Sequence, residues 1–314
     1  MKHKVFIDGS AGTTGLRIRE RLASRRDIEL MELPQPQLKD PIAREDALNC
    51  ATVAILCLPD GASREAASAV TNPDTIIIDA SSAHRVAPGW DYGFPELRGA
   101  RNALISSKRI ANPGCHASGF IALVAPLVQA GILSPDAHLS CFSLTGYSGG
   151  GKAMIAQYEA APLAGDPLLA APRAYGLSQA HKHIPEMMAI CGLNQQPAFV
   201  PVVANFYAGM EVTVPLAQGT PDITRADLAA LYQHYYANEP LVRYVNDADE
   251  SGFLSAARYA GRDDMEISVQ GGATGAPLTL VARFDNLGKG ASGAAVQNLN
   301  IVLGAAETSG LEFH

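Results

Sequence analysis

Cysteine is sparse in this 314-residue chain, and its five copies, Cys50, Cys57, Cys115, Cys141 and Cys191, contain no C-x-x-C pair and leave an odd one over. A disulfide framework is excluded, and a reducing cytoplasm is the expected location. Positive charge is in deficit, 24 Lys and Arg against 31 Asp and Glu for a net charge of -7. That argues against nucleic acid or an anionic membrane surface as a partner, because both require a basic face. Long apolar runs are missing too. The longest, Gly119 to Leu133, is interrupted by Pro126, Gln129 and Gly131 and is shorter than the ~20 residues that span a bilayer. Only Val5-Phe6-Ile7 follows the basic start before Asp8, which is too little for a signal peptide. Internal repeats, low-complexity tracts and heptads are absent. What is present is 47% apolar and 18% charged residues, enough for a soluble protein with two cores.

The first 115 residues carry short continuous apolar runs: Val5 to Ile7, Ile28 to Leu33, Val53 to Leu58, Thr75 to Ile78 and Arg109 to Ala111. Continuous rather than alternating runs predict strands covered on both faces, hence an α/β class with a Rossmann-like, doubly wound parallel sheet. Ligands in such a sheet lie beyond the carboxyl ends of the strands. Gly9, Pro59-Asp60-Gly61, Asp79-Ala80-Ser81-Ser82 and Asn112-Pro113-Gly114-Cys115 all stand at those ends. After about residue 135 the runs His138 to Leu144, Met210 to Leu216, Glu266 to Val269 and Leu278 to Phe284 predict a mixed sheet in an α+β second domain. Helices are expected at Ala117 to Leu133 with a kink at Pro126, at Lys152 to Ala160, and at Arg225 to Tyr236 behind a Thr224 cap. A last helix from about Ala291 should face the core with Ala295, Leu299, Val302 and Ala306. The expected division is 1–116 with 287–314, a cofactor domain, and 117–286, a substrate and oligomerisation domain.

Three clusters carry chemistry. Gly9, Gly12 and Gly15, with Ser10, Thr13 and Thr14, follow the first strand and open a helix. Glycine at this spacing lets backbone amides approach a pyrophosphate. Glu32 would suit the ribose hydroxyls of NAD, whereas Arg17, Arg19 or Lys39 would suit the 2′-phosphate of NADP, and the residues alone leave that choice open. Cys115 ends a tight turn before a long helix, where the dipole favours a thiolate over the roughly 3% present in an unperturbed thiol at neutral pH. Asn112 and Gly114 would offer amides beside its sulfur. His181-Lys182-His183-Ile184-Pro185-Glu186, read as an extended segment, lacks the third and fourth ligands of a metal site. No metal is expected, and a general acid/base oriented by Glu186 is the better reading. Ser148-Gly149-Gly150-Gly151-Lys152 is not a Walker motif; an anion nest with Lys152 and a plain flexible connection are both open. Arg85, beside Ser81 and His84, suits a carboxylate or phosphate.

Taken together, these blocks resemble the short form of N-acetyl-gamma-glutamyl-phosphate reductase of arginine biosynthesis. The resemblance runs nearly end to end through Gly9–Gly15, Ile78–Ser81, Tyr92–Leu97, Asn112–Cys115, Ser148–Lys152, His181–Glu186 and Asp285–Ala291. It implies a fold similar to aspartate-semialdehyde and glyceraldehyde-phosphate dehydrogenases, NADPH as cofactor, an acyl phosphate and inorganic phosphate as ligands, and a homo-oligomer, dimer or tetramer. Cys115 would form a thioester and His181, oriented by Glu186, would supply the proton. His183, Asn112, Arg85 and Lys152 would contact substrate, and Gly9, Ser10, Gly12, Thr13, Thr14, Gly15, Ser81, Asn286 and Gly288 the cofactor. His116, where many members carry an aromatic residue, is expected to alter packing. The alternatives are a related acyl-phosphate reductase, such as aspartate-semialdehyde dehydrogenase, and a non-catalytic dinucleotide-binding redox sensor.

Overall fold

The computed structural model describes residues 2–160, 166–216, 223–271 and 277–313. They divide into two compact units, one from Met1–Gly114 with Ala291–Leu311 and one from Cys115–Gly290 with Glu312–His314. In the first unit, strands β1 (His3–Asp8), β2 (Ile28–Met31), β3 (Val53–Leu56), β4 (Ile76–Asp79), β5 (Asp91–Tyr92) and β6 (Arg109–Ala111) form one sheet in the order β2-β1-β3-β4-β6-β5. All its pairings are parallel. Helices α1 (Thr13–Leu22), α2 (Pro41–Cys50), α3 (Asp60–Ala69) and α4 (Ala100–Ser106) connect them, and Gly293–Val302 adds a late helix.

The continuous burial has a simple cause. Phe6, Ala54, Leu56 and Ile77 meet Ala47, Leu48, Ala66 and Val70 from α2 and α3 on one face, while the alternating Val5, Ile55 and Ile78 are fully buried on the other. The order reverses between β1 and β3, so the loop after β1 opens at the switch point where ligands bind. The two-residue β5 was not visible in the sequence. The late helix ends at Val302, and Ala306 lies exposed beyond it rather than on its core face.

In the second unit, β7 (Ser140–Gly146), β8 (Arg173–Ala174), β9 (Ala198–Ala204), β10 (Met210–Pro215), β11 (Val242–Tyr244), β12 (Met265–Gly271) and β13 (Leu278–Phe284) form a mixed sheet. Its order is β11-β12-β13-β10-β7-β9-β8, with β11/β12 and β7/β9 parallel. Across one face lies α5 (Cys115–Gln129), the most buried helix of the unit. A Cβ on Gly119 would sit 2.5 Å from Val212, so this close helix-to-sheet approach depends on the missing side chain. Further helices are α6 (Gly151–Ala160), α7 (Pro167–Ala170), α8 (Ile184–Cys191) and α9 (Arg225–Tyr235).

Pro126 lies inside α5 and leaves the Ala122 carbonyl without its helical donor. Tyr236, just past α9, supplies one, its hydroxyl donating to Ala122 O at 2.8 Å, and Tyr232 does the same for Leu123 O at 2.5 Å. The helix ends at Gln129, four residues before the expected Leu133, where Gly131 turns the chain with φ 71°. Thr224 caps α9 as expected, in a reciprocal box with Asp227. No described helix is long and apolar enough to cross a membrane.

Candidate active site

The first unit presents the loops at the carboxyl ends of its strands. Gly9 to Gly12 close a turn, the Gly12 amide donating to Gly9 O at 2.9 Å, and α1 starts at Thr13 with Gly12 as a cap that offers no side chain. A Cβ on Gly15 would come within 2.5 Å of Gly9 O. Loop and helix are therefore packed at the distance only glycine allows, leaving first-turn amides at a bare helix N-terminus, a cradle that fits a dinucleotide pyrophosphate. Thr13 and Thr14 open that turn, and Ser10 is half-buried in the loop. Glu32, after β2, is ion-paired with Arg19 of α1 at 2.6 Å.

Asp79, fully buried at the end of β4, gathers a hydroxyl from Ser63 (2.6 Å), the Ser81 amide (2.9 Å) and hydroxyl (2.8 Å), and His84 Nδ1 (2.6 Å). Ser81 is thus held rigidly, and its side chain serves Asp79. His84 stacks on Trp90 with ring centroids 3.9 Å apart. Arg85 Nε donates to Asn112 O at 3.0 Å. The Asn112 side chain donates to Ala291 O and accepts from Asn298. Arg85 and Asn112, both expected to contact substrate, are brought together here, with these hydrogen bonds inside the unit's framework.

The second unit holds the thiol. Cys115 is the first residue of α5 and half-buried. A Cβ on Gly290 would lie 2.9 Å from Cys115 Cβ, so the glycine-rich turn after Asn286 runs directly against the cysteine. That turn is fastened by Asp285, whose carboxylate accepts from the Leu287, Gly288 and Gly261 amides. Asn286 is fastened as well, accepting from the Gly209 amide and donating to Ser148 Oγ. The other four cysteines have no sulfur partner in a disulfide. Burial pushes the Cys57 thiol up to about 12 and raises Cys141 and Cys191 as well, which makes them inert.

His181, His183 and Glu186 sit at the start of α8, in a turn that becomes helical at Ile184 rather than in an extended segment. The reason is local: Pro185 stands at the first helical turn, where its missing N–H costs nothing, and Glu186 in that turn suits the positive end of the dipole. The His183 amide donates to His181 Nδ1 at 3.2 Å, and the two rings lie 4.7 Å apart. Glu186 is buried and His181 half-exposed. Lys152 is exposed on α6, where Tyr147–Gly150 forms a short 3-10 turn leading into the helix.

Tyr175, Ser143 and Phe199 escaped the sequence reading, and His116 was expected there only to alter packing. The ring of His116, next to Cys115 on α5, lies 5.7 Å from His181 and 5.5 Å from His183. Its Nδ1 meets Ser143 Oγ at 2.7 Å and its Nε2 meets Tyr175 Oη at 2.5 Å. Burial, aided by His181, drives its pKa down to about 3. For His116 the sequence signal was its departure from the aromatic residue that many members carry after the cysteine.

A parallel-sheet unit with a glycine cradle, and a mixed-sheet unit with a helix-terminal cysteine beside a histidine cluster, define a dinucleotide-linked dehydrogenase of the semialdehyde type. Residues 10–105 match the semialdehyde dehydrogenase NAD binding domain and residues 115–286 the semialdehyde dehydrogenase dimerisation domain. Within that class the chain belongs to the N-acetyl-gamma-glutamyl-phosphate reductase family. It is 45% identical over 311 residues to the N-acetyl-gamma-glutamyl-phosphate reductase of Burkholderia lata, covering 97% of this chain and 98% of the other. It is 46% identical over 309 residues to that of Sinorhizobium fredii, covering 97% and 100%. Among solved structures, aspartate semialdehyde dehydrogenase II of Vibrio cholerae complexed with ASA shares the fold. The TM-score is 0.72 at 16% identity, covering 96% of this chain and 98% of that one. The NADP-bound aspartate semialdehyde dehydrogenase of Candida albicans gives 0.67 at 13%, covering 97% and 99%.

Proposed function

We propose that this chain catalyses the NADPH-dependent reductive dephosphorylation of N-acetyl-L-glutamyl 5-phosphate to N-acetyl-L-glutamate 5-semialdehyde, in arginine biosynthesis. The observation that carries the reading is a half-buried cysteine at the N-terminus of α5, in the same unit as the His181–Glu186 turn, in a chain 45% identical along its length to a reductase of that name.

Cys115, as the thiolate, attacks the acyl carbon; the carbon–sulfur bond forms, the carbon–oxygen bond to phosphate breaks, and phosphate leaves with a proton taken from water. The resulting thioester keeps the acyl group fixed at Cys115. The nicotinamide, when bound, supplies the hydride that reduces this carbon. His181 Nδ1 accepts the His183 amide, so the proton of the neutral ring sits on Nε2. From there it is given to the carbonyl oxygen as negative charge builds, and drawn back as the C=O re-forms and sulfur is expelled. Glu186, buried within the next turn, fixes the ring's orientation. The loop from Gly9 to Gly15, with Thr13 and Thr14, holds the pyrophosphate, and Arg19 of α1, whose partner Glu32 follows β2, pairs with the 2′-phosphate of NADP in place of Glu32. Ser81, Asn286 and Gly288 bound the cofactor through backbone, since the Ser81 and Asn286 side chains are engaged within their own units. His183, Arg85, Asn112 and Lys152 are proposed for the substrate's carboxylate and phosphate.

The test is phosphate-dependent reduction of NADP, with NAD alongside, by the purified protein given N-acetyl-L-glutamate 5-semialdehyde, aspartate 4-semialdehyde or neither. Turnover confined to the acetylated aldehyde, abolished without phosphate and in Cys115→Ser, is the expected result. Turnover of aspartate semialdehyde alone would overturn the substrate, and turnover without phosphate the acyl-phosphate chemistry.

A further inference from the structure

Between β8 and His181 the chain leaves the mixed sheet in a short turn. Ala174 pairs with Val202 of β9, and the Tyr175 amide still donates to Pro201 O at 3.0 Å, but at Gly176, with φ 63°, the backbone departs. The turn closes where the Gln179 amide donates to Gly176 O at 3.0 Å, and Gln179 itself has φ 55°. A residue with a side chain takes up that left-handed conformation at a cost, so something must hold it there. Its own side chain does so. Gln179 Nε2 donates to Phe199 O at 2.7 Å, and Gln179 Oε1 accepts from the Phe199 amide at 2.9 Å. One side-chain amide thus stands in for a rung of the ladder, satisfying both main-chain groups of a β9 residue beyond the reach of β8. The Gln179 carbonyl is held as well, by Gln196 Nε2 at 2.8 Å.

His181 follows two residues later, and its ring rests against what Gln179 holds. The buried Phe199 ring lies 5.2 Å from the His181 ring, inclined at 68°. The turn touches the same imidazole, since a Cβ on Gly176 would lie 3.6 Å from His181 Cδ2. His116, bonded to Ser143 and Tyr175, adds a ring 5.7 Å away at 85°. Edge-to-face pairs at such distances favour one orientation of the enclosed ring. The bond from the His183 amide to His181 Nδ1, at 3.2 Å, is at the long end of the useful range and selects that orientation only weakly. We infer that Gln179 is a positioning residue for His181: by pinning the Gly176–Gln179 turn to Phe199, it keeps the imidazole with Nδ1 on the His183 amide and the proton on Nε2. The inference rests on the acid/base role proposed for His181 and adds the residue that holds that ring in its working tautomer.

The experiment labels histidine with a heavy nitrogen isotope and reads the His181 tautomer by NMR under alkaline conditions, where the ring is neutral, beside kcat and KM for the semialdehyde reaction. The His181 signals are assigned by their loss in His181→Gln. The wild type should show a single tautomer with the proton on Nε2. Gln179→Met, similar in length but without either hydrogen bond to Phe199, should move both ring-nitrogen signals toward the average of the two tautomers. It should also lower kcat about 10-fold, less than the about 100-fold of a full displacement of around 1 Å, with KM within about twofold. Phe199→Leu, which keeps the main-chain bonds and removes the ring, should shift the signals in the same direction and add little in the Gln179→Met background. Gln179→Gly loses the same bonds while relieving the left-handed backbone, so it carries the test if Gln179→Met folds poorly. A wild type already divided between tautomers, or signals unmoved in both Gln179 variants, overturns the inference. Shifted signals with kcat unchanged would uphold the hold on His181 and count against its role as the acid. The NMR measurement requires no substrate, so failure of the aldehyde assay counts against the proposed function and leaves this inference to its own result.

Discussion

Cys115 is positioned by what surrounds it as much as by its helix. A methyl group at Gly290 would lie 2.9 Å from the cysteine's Cβ, closer than side chains tolerate, and either the turn or the cysteine must move. Gly290→Ala should therefore lower kcat by about 100-fold, the scale of a displacement of around 1 Å at a reacting atom. Cofactor affinity, measured by titration, should stay within about twofold. His116 gives the residue scale its pH dependence. Its pKa falls from 6.5 to about 3 on folding, so the unfolded chain binds the extra proton between those limits. Its contribution to stability is whole above pH 6.5 and is lost as pH falls toward 3, at about 1.4 kcal/mol per pH unit. Urea unfolding of the wild type should show that slope between pH 6 and 4, and His116→Gln should lack it. Cys115, the glycine cradle and the His181–Glu186 cluster were legible in the sequence because each is a local pattern of residue types. Tyr175 and Ser143 were not, because they come within 3 Å of His116 from strands 59 and 27 residues away. Nothing local marks such a meeting.

At the scale of elements, α5 shows why boundaries were harder to read than cores. Its apolar run was legible, and so was the proline; what ends the helix at Gln129 is the left-handed Gly131, an exposed residue within the same stretch of sequence. The proline survives in mid-helix because Tyr236 donates to the Ala122 carbonyl it strands, while Tyr232 donates to the next carbonyl, that of Leu123. Tyr236→Phe would leave the Ala122 carbonyl buried without that donor and should cost about 1–3 kcal/mol, read as a lower urea midpoint at unchanged slope. A fall of less than about 0.5 kcal/mol would mean that water or a shift of α5 replaces the hydroxyl. The five long parallel strands of the first unit were legible because burial on both faces writes a continuous apolar run. Two-residue strands such as β5 and β8 bury too little to leave a signature, and the turn into α8 was misread as extended because histidine and lysine carry little conformational bias. Only Pro185 and Glu186 pointed to a helix start.

On the scale of the whole molecule, the mixed sheet has two faces with different fates. One is covered by α5. On the other, Glu211, Arg283, Glu266 and Arg243 stand side by side across β10, β13, β12 and β11. Arg283 bonds to Glu266 at 2.7 Å and to the Ala248 carbonyl, so this charged half is closed by the chain itself. Among the described residues nothing closes the β7–β9 half in the same way. Phe142 and Val200 are opposite one another in register and remain 43% and 42% exposed, beside half-buried Leu144. Paired aromatic and β-branched residues on an open sheet face are what an interface between copies requires. This unit matches a dimerisation domain, so a second copy is the occupant to test for. In a two-fold contact one substitution acts twice, and Phe142→Glu places two uncompensated carboxylates in one apolar patch. Light scattering at micromolar concentration should find the wild type as a dimer or tetramer and Phe142→Glu shifted to the protomer, with circular dichroism unchanged. β7 ties that face to the histidine cluster, because Phe142 points out of it and the next residue, Ser143, points in to hold His116. An oligomer that survives Phe142→Glu would put the interface elsewhere.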